Sequence, residues 1–83
     1  MQQDFIGHLI EIISDYGGVR HHSYGEIVGF FGDDVLKIVE LSARKDKFVR
    51  EGTSLYNPGC RAVERTRILR KLNEEDFIKL DNL

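Results

Sequence analysis

Nine basic side chains fall between residues 42 and 72: Arg44, Lys45, Lys47, Arg50, Arg61, Arg65, Arg67, Arg70 and Lys71. Three acids accompany them, so this block carries +6. Residues 1–41 carry seven acids against two bases, or −5, and residues 73–83 carry −3. A basic centre in a chain of net charge −2 points to an anionic partner, nucleic acid first. The plain alternative is a solvated charged surface. His21-His22, with His8 or Cys60, raises metal binding. Adjacent histidines on a strand point to opposite faces and do not readily share an ion, so no metal site is expected. Cys60 has no His–Asp arrangement to activate it, and no glycine opens a phosphate-cradling GxxxxGK[ST] loop. The expectation is a binding protein without cofactor, not an enzyme.

The elements that carry these groups must come from 83 residues, enough for one domain with a small core. Hydrophobic residues make up 41% and charged residues 31%, which argues against a fully disordered chain. No apolar run approaches the roughly 18 residues of a membrane span, and no basic segment precedes the first apolar stretch as in a signal peptide. One cysteine excludes an intramolecular disulfide framework, and the cytoplasm is the expected compartment.

Residues 3–16 pattern as a helix. Phe5, Ile6, Leu9, Ile10, Ile12, Ile13 and Tyr16 are apolar, and the polar set between them steps by three and four. Gly17-Gly18 supplies a stop. Residues 19–22 read as a short strand. Ser23-Tyr24-Gly25-Glu26 spells a capping box and predicts a helix over 23–31, despite Gly25 and Gly29 at about 1 kcal/mol each. Asp33 or Asp34 caps a third helix over 33–46, with Asp33, Lys37, Glu40, Arg44 and Lys47 on one polar stripe. A strand-like run at 47–51, a loop at 52–59 and a returning strand at 60–69 follow. Asn73-Glu74-Glu75-Asp76 looks like the start of a helix over 73–81.

This order resembles the winged helix-turn-helix domain of small prokaryotic, archaeal and viral DNA-binding proteins. The stretches that carry it are HLIEIISDYGGV, SYGEIVGFFGDDVLKIVELSARKD and KFVREGT. The resemblance implies an α+β fold with a three-helix core and a wing at 47–69. It implies a sequence-specific regulator of double-stranded DNA, with 33–46 as recognition helix in the major groove. Lys37, Arg44 and Lys47 would face bases or phosphates. The wing would offer Arg50 and Arg61 to phosphates and Thr53, Ser54, Tyr56 and Asn57 as hydrogen-bonding groups, with Arg65 and Arg67 extending the surface. Such regulators usually pair, so a homodimer through the terminal helices is expected, with Phe77, Ile78 and Leu80 in the contact.

Two rival readings stand beside it. In the first, residues 24–41 form a hairpin: EIVGF and VLKIVEL are rich in β-branched residues, and FGDD is a fair turn. With the leading helix this would be a small β-barrel resembling the Sm-like or SH3-like folds, binding RNA or a protein. In the second, a winged helix serves as a protein-interaction module.

Overall fold

The computed structural model describes residues 2–78, and they form one antiparallel five-stranded sheet. A single 3₁₀ turn (Gln2–Phe5) precedes β1 (His8–Tyr16), β2 (Val19–Phe31), β3 (Val35–Arg44) and β4 (Lys47–Tyr56). One helical turn, α1 (Ala62–Arg65), leads into β5 (Arg67–Lys71), and a second 3₁₀ turn (Glu74–Asp76) follows. The strand order is β4-β3-β2-β1-β5: a four-strand meander whose first strand is flanked by the last.

These observations overturn the α+β winged-helix reading and its three-helix core. Residues 3–16 are a 3₁₀ turn and β1; 23–31 belongs to β2; the recognition helix at 33–46 is β3 with its flanking turns. The wing at 47–69 is a full-length sheet strand, a loop, one helical turn and the start of β5. The helix at 73–81 stops after Glu74–Asp76, and Phe77 bridges Phe48 of β4; residues 79–81 lie outside the described residues. The homodimer through terminal helices loses its elements with them. Phe77 is buried within the chain's own core, and Leu80 is outside the described residues. The hairpin reading of 24–41 fits: Phe31 pairs with Val35 across the turn at 32–34, where Gly32 has φ +64°.

The core has two halves on opposite faces of the sheet. Register places Ile10, Gly25, Ile27, Leu36, Ile38, Tyr56 and Ile68 on one face. There Ile10, Ile27, Leu36 and Ile38 are buried beneath Ala62, Val63 and Phe5. Register places Leu9, Tyr24, Glu26, Val39, Leu41, Phe48 and Arg50 on the other face. Here Leu72 and Phe77, from the segment after β5, pack on Leu9 and Leu41. Backbone hydrogen bonds tie the covers down: Gly7 N–H to Ile27 O (2.8 Å), Leu72 N–H to Gly7 O (2.8 Å), Ala62 N–H to Asp33 O (2.7 Å) and Ile78 N–H to Phe48 O (3.1 Å). The pairing register slips once in each of β1/β5, β2/β3 and β3/β4, and such bulges bend a sheet. Gly25 belongs to this packing: a Cβ there would lie 3.2 Å from Ile38 Cδ1.

Among the described residues no helix is long and apolar enough to cross a membrane.

Candidate functional site

The charge segregation of the sequence is a pairing scheme. Glu26 of β2 accepts from Arg50 Nε of β4 at 3.2 Å, and Glu11 of β1 accepts from Arg67 Nη1 of β5 at 3.4 Å. Asp76 accepts from both terminal nitrogens of Arg70, at 2.8 and 3.0 Å. Each pair joins an acid from a terminal segment to a base from the middle one. The three carboxylates are largely shielded, at 12–16% exposure, while their arginines remain half exposed or more. An arginine removed from such a pair leaves a poorly solvated carboxylate behind, which is why the partners matter more than a surface pair usually does. Asp76 is held down to about 2, first by Arg70 and then by the Asn73 N–H that its side chain also accepts.

The residues expected to bind DNA scatter over the sheet. Lys37 stands exposed on β3, opposite Gly29 and Leu55. Arg44 and Lys47 face each other at the far turn, where Lys45 has φ +58° and Lys47 Nζ donates to Glu75 O at 2.7 Å. Arg50 lies over the Phe77 ring, 3.7 Å from its centroid, so it packs as well as pairs. Thr53 and Ser54 sit within β4 opposite Val39 and Ile38. Arg61 is in the left-handed region at φ +57°, its N–H on Asp34 Oδ1 (3.3 Å) and its guanidinium on Glu64 (3.5 Å). None of them lies on a helix longer than the single turn α1, which carries Arg65.

Three of that set do converge. Tyr56, Asn57 and Arg65 line an open cleft of about 440 Å³ together with Glu11, Ile13, Pro58 and Arg67. Its position follows from strand lengths. β5 ends its pairing with Arg67 opposite Glu11, while β1 continues to Tyr16. On the other side β3 reaches only to Tyr24 of β2. Residues 12–23 therefore project as a two-stranded arm, paired from Ile12↔Ser23 to Tyr16↔Val19. Gly17 and Gly18 close it at φ +59° and +78°, the conformation of a type I′ turn. The cleft lies at the base of this arm.

The cleft walls are held from within. Asn57 Oδ1 accepts the Gly59 N–H at 3.0 Å, closing the loop after β4. Arg65 Nε donates to Cys60 O at 2.9 Å, and the Arg65 stem lies against Gly59, where a Cβ would come 3.4 Å from its Cδ. Thr66 Oγ1 donates back to Ala62 O at 2.6 Å and steadies the turn that carries both Arg65 and Arg67. Sequence reasoning missed Glu11, Ile13 and Pro58. The readable signal for Glu11 was its charge, opposite to that of the 60–71 segment it pairs with.

A second uncovered surface lies at the other end of the sheet. Phe31 and Leu55 are 56% and 63% exposed, and register puts them with Val35, Lys37 and Gly29 on one face. Among the described residues no group of three or more His, Cys, Asp or Glu is placed to hold a metal ion.

Comparison with protein-family models, with curated proteins and with solved structures finds no match to this chain.

Proposed function

We propose that this chain is a protein-binding β-sheet module that accepts an extended partner segment along the outer edge of β1. One observation carries the reading: β1 runs five residues, Ile12–Tyr16, beyond the last residue that β5 pairs, and an open cleft lies beside that stretch. A strand edge offers backbone donors and acceptors in a fixed row, and adding a strand satisfies them while flanking side chains set specificity. The arm has its own reason to accept a third strand, since two strands alone are marginal in water. Exposed Ile13 and Val19 on the arm give a partner apolar surface to cover.

The charge pattern supports a protein partner over a nucleic acid. Arg50, Arg67 and Arg70 are engaged with acids of this chain, Arg61 with Glu64, and Lys47 with a backbone carbonyl. A phosphate backbone would have to compete with those partners for most of the basic block.

The test is a two-dimensional amide NMR titration of the intact protein with peptides selected from a random heptapeptide phage library, and with a labelled single-stranded RNA pool. Shifts confined to Ile12–Tyr16 and the 57–67 segment on peptide addition are expected. Peptide selection that yields nothing, together with salt-sensitive RNA binding, would replace this reading by an RNA-binding one.

A further inference from the structure

We infer that the cleft at the base of the arm receives a partner's C-terminal carboxylate, so that the module recognises free chain ends. The inference rests on the strand-addition reading and adds direction and chemistry to it.

Direction comes from topology. β5 runs antiparallel to β1 and begins at Arg67, opposite Glu11. The chain before it does not continue along β1: it turns away through Thr66 into α1. Among the described residues no strand pairs with Ile12–Tyr16 along the line that β5 follows, and the open cleft begins there. A partner strand laid there antiparallel to β1 runs the same way as β5, and antiparallel pairing is the more stable kind. Its C-terminal end therefore arrives at the start of β5. A strand beside five residues of β1 spans about 17 Å, so about five terminal residues are read.

Chemistry comes from what stands at that point. Arg65 and Arg67 line the cleft, and among the described side chains Glu11 is the one acid lining it. Arg67 uses one terminal nitrogen on Glu11 at 3.4 Å, and its side chain remains 69% exposed. Arg65 commits Nε to Cys60 O, which fixes the guanidinium plane, and among the described residues its two terminal nitrogens meet no partner. Among the described lining side chains two guanidinium groups stand against one carboxylate, and an incoming carboxylate balances the difference. Guanidinium groups also match a carboxylate geometrically, through paired N–H donors. An internal peptide segment would bring no such group to the end of its line.

Register adds a side-chain preference. A terminal residue that continues the line of β5 sits opposite Ile12, and the penultimate one sits opposite Ile13. Ile13 lines the cleft and is 42% exposed, so the penultimate residue is apolar.

The experiment uses the whole chain and two random heptapeptide phage libraries, one displayed with free C-termini and one fused to coat protein through its C-terminus. Enrichment from the free-end library alone, with an apolar penultimate residue, is expected. The selected peptide is then titrated calorimetrically as acid and as carboxamide. The amide should bind at least about tenfold more weakly. Arg65→Gln should bring a similar loss and Arg65→Lys a smaller one, while Arg44→Gln at the far turn leaves affinity unchanged. The acid–amide comparison needs no variant, so a misfolded mutant does not blunt the test. Equal binding of acid and amide, or enrichment from the fused library, overturns the carboxylate site and leaves strand addition standing. Enrichment from neither library overturns both.

Discussion

β2 is a single strand of 13 residues that lives in two environments. From Tyr24 to Glu26 it lies between β1 and β3, beyond Glu26 it pairs with β3, and Gly25 and Ile27 are buried beneath the first core. From Val19 to Ser23 it has β1 alone beside it, and every residue is exposed. Backbone geometry is continuous through both; what differs is the covering. The central part is fixed by packing on two faces, whereas the arm joins the core through Ile12 at its base and is otherwise paired strand to strand up to its two-glycine turn. The same strand thus serves as scaffold at one end and as an offered edge at the other.

Four expectations test that division, beginning with the largest. Ile27→Ala, in the middle of the covered region, should cost about 2–5 kcal/mol in urea unfolding, enough to threaten so small a domain. Gly25→Ala should cost about 1–3 kcal/mol by the same measurement, because its new methyl meets Ile38 Cδ1 at 3.2 Å and Val39 O at 3.4 Å inside the sheet. Gly18→Ala, at φ +78° with open space around it, should cost about 1 kcal/mol. Hydrogen exchange should place that cost in the arm, with amides of residues 12–23 losing protection and those of 24–31 keeping it. Ile13→Ser should change global stability by no more than about 0.5 kcal/mol while weakening peptide binding. A large stability loss from Ile13→Ser would mean that the arm is part of the core after all.

A pH prediction belongs to the covered end. The folded-state pKa of Asp76 is lowered to about 2, below the value near 4 of an unfolded chain. Its contribution to stability is therefore fully present above about pH 4. It is lost as pH falls through about 2, because the unfolded state binds the proton first. Thermal melts of Asp76→Asn should lose the part of the acid-induced drop that falls between these values, while the arm's exchange pattern at neutral pH stays unchanged.

Some of this architecture was legible in the residues. FGDD gave the β2–β3 turn, and the β-branched runs on either side of it are the strands. Asn73 does cap a turn, with Glu75 N–H donating to its side chain, but that turn ends at Asp76 because Phe77 is drawn onto Phe48. The first helix was misread for a physical reason. Leu9 and Ile10 are neighbours that enter cores on opposite faces, so β1 loses the alternation by which a one-sided strand is known. The Ser23–Glu26 capping box failed because Glu26 finds a long-range partner, Arg50, that no local spacing reveals. The glycines at 25 and 29 were the better signal, since glycine inside a strand marks close approach or a bulge. For the site, Tyr56, Asn57 and Arg65 entered only as wing residues of the winged-helix resemblance, in a role that the sheet does not give them. Their meeting with Glu11 and Ile13 depends on β5 returning to β1, which is a fact of topology.

That return has a consequence for how the chain is made. Glu11 and Arg67 are 56 residues apart, and β1 has no neighbour on its outer side until β5 arrives. During synthesis, at roughly 5–20 residues per second, the four-strand meander can assemble before Arg67 leaves the ribosome. Through those seconds the open edge of β1 is all nine residues from His8 to Tyr16, not the final five. The nascent chain thus passes through a stage in which stray strands can dock where β5 belongs. Arrival of β5 shortens that edge and, with the same residues, delivers Arg67 to its end.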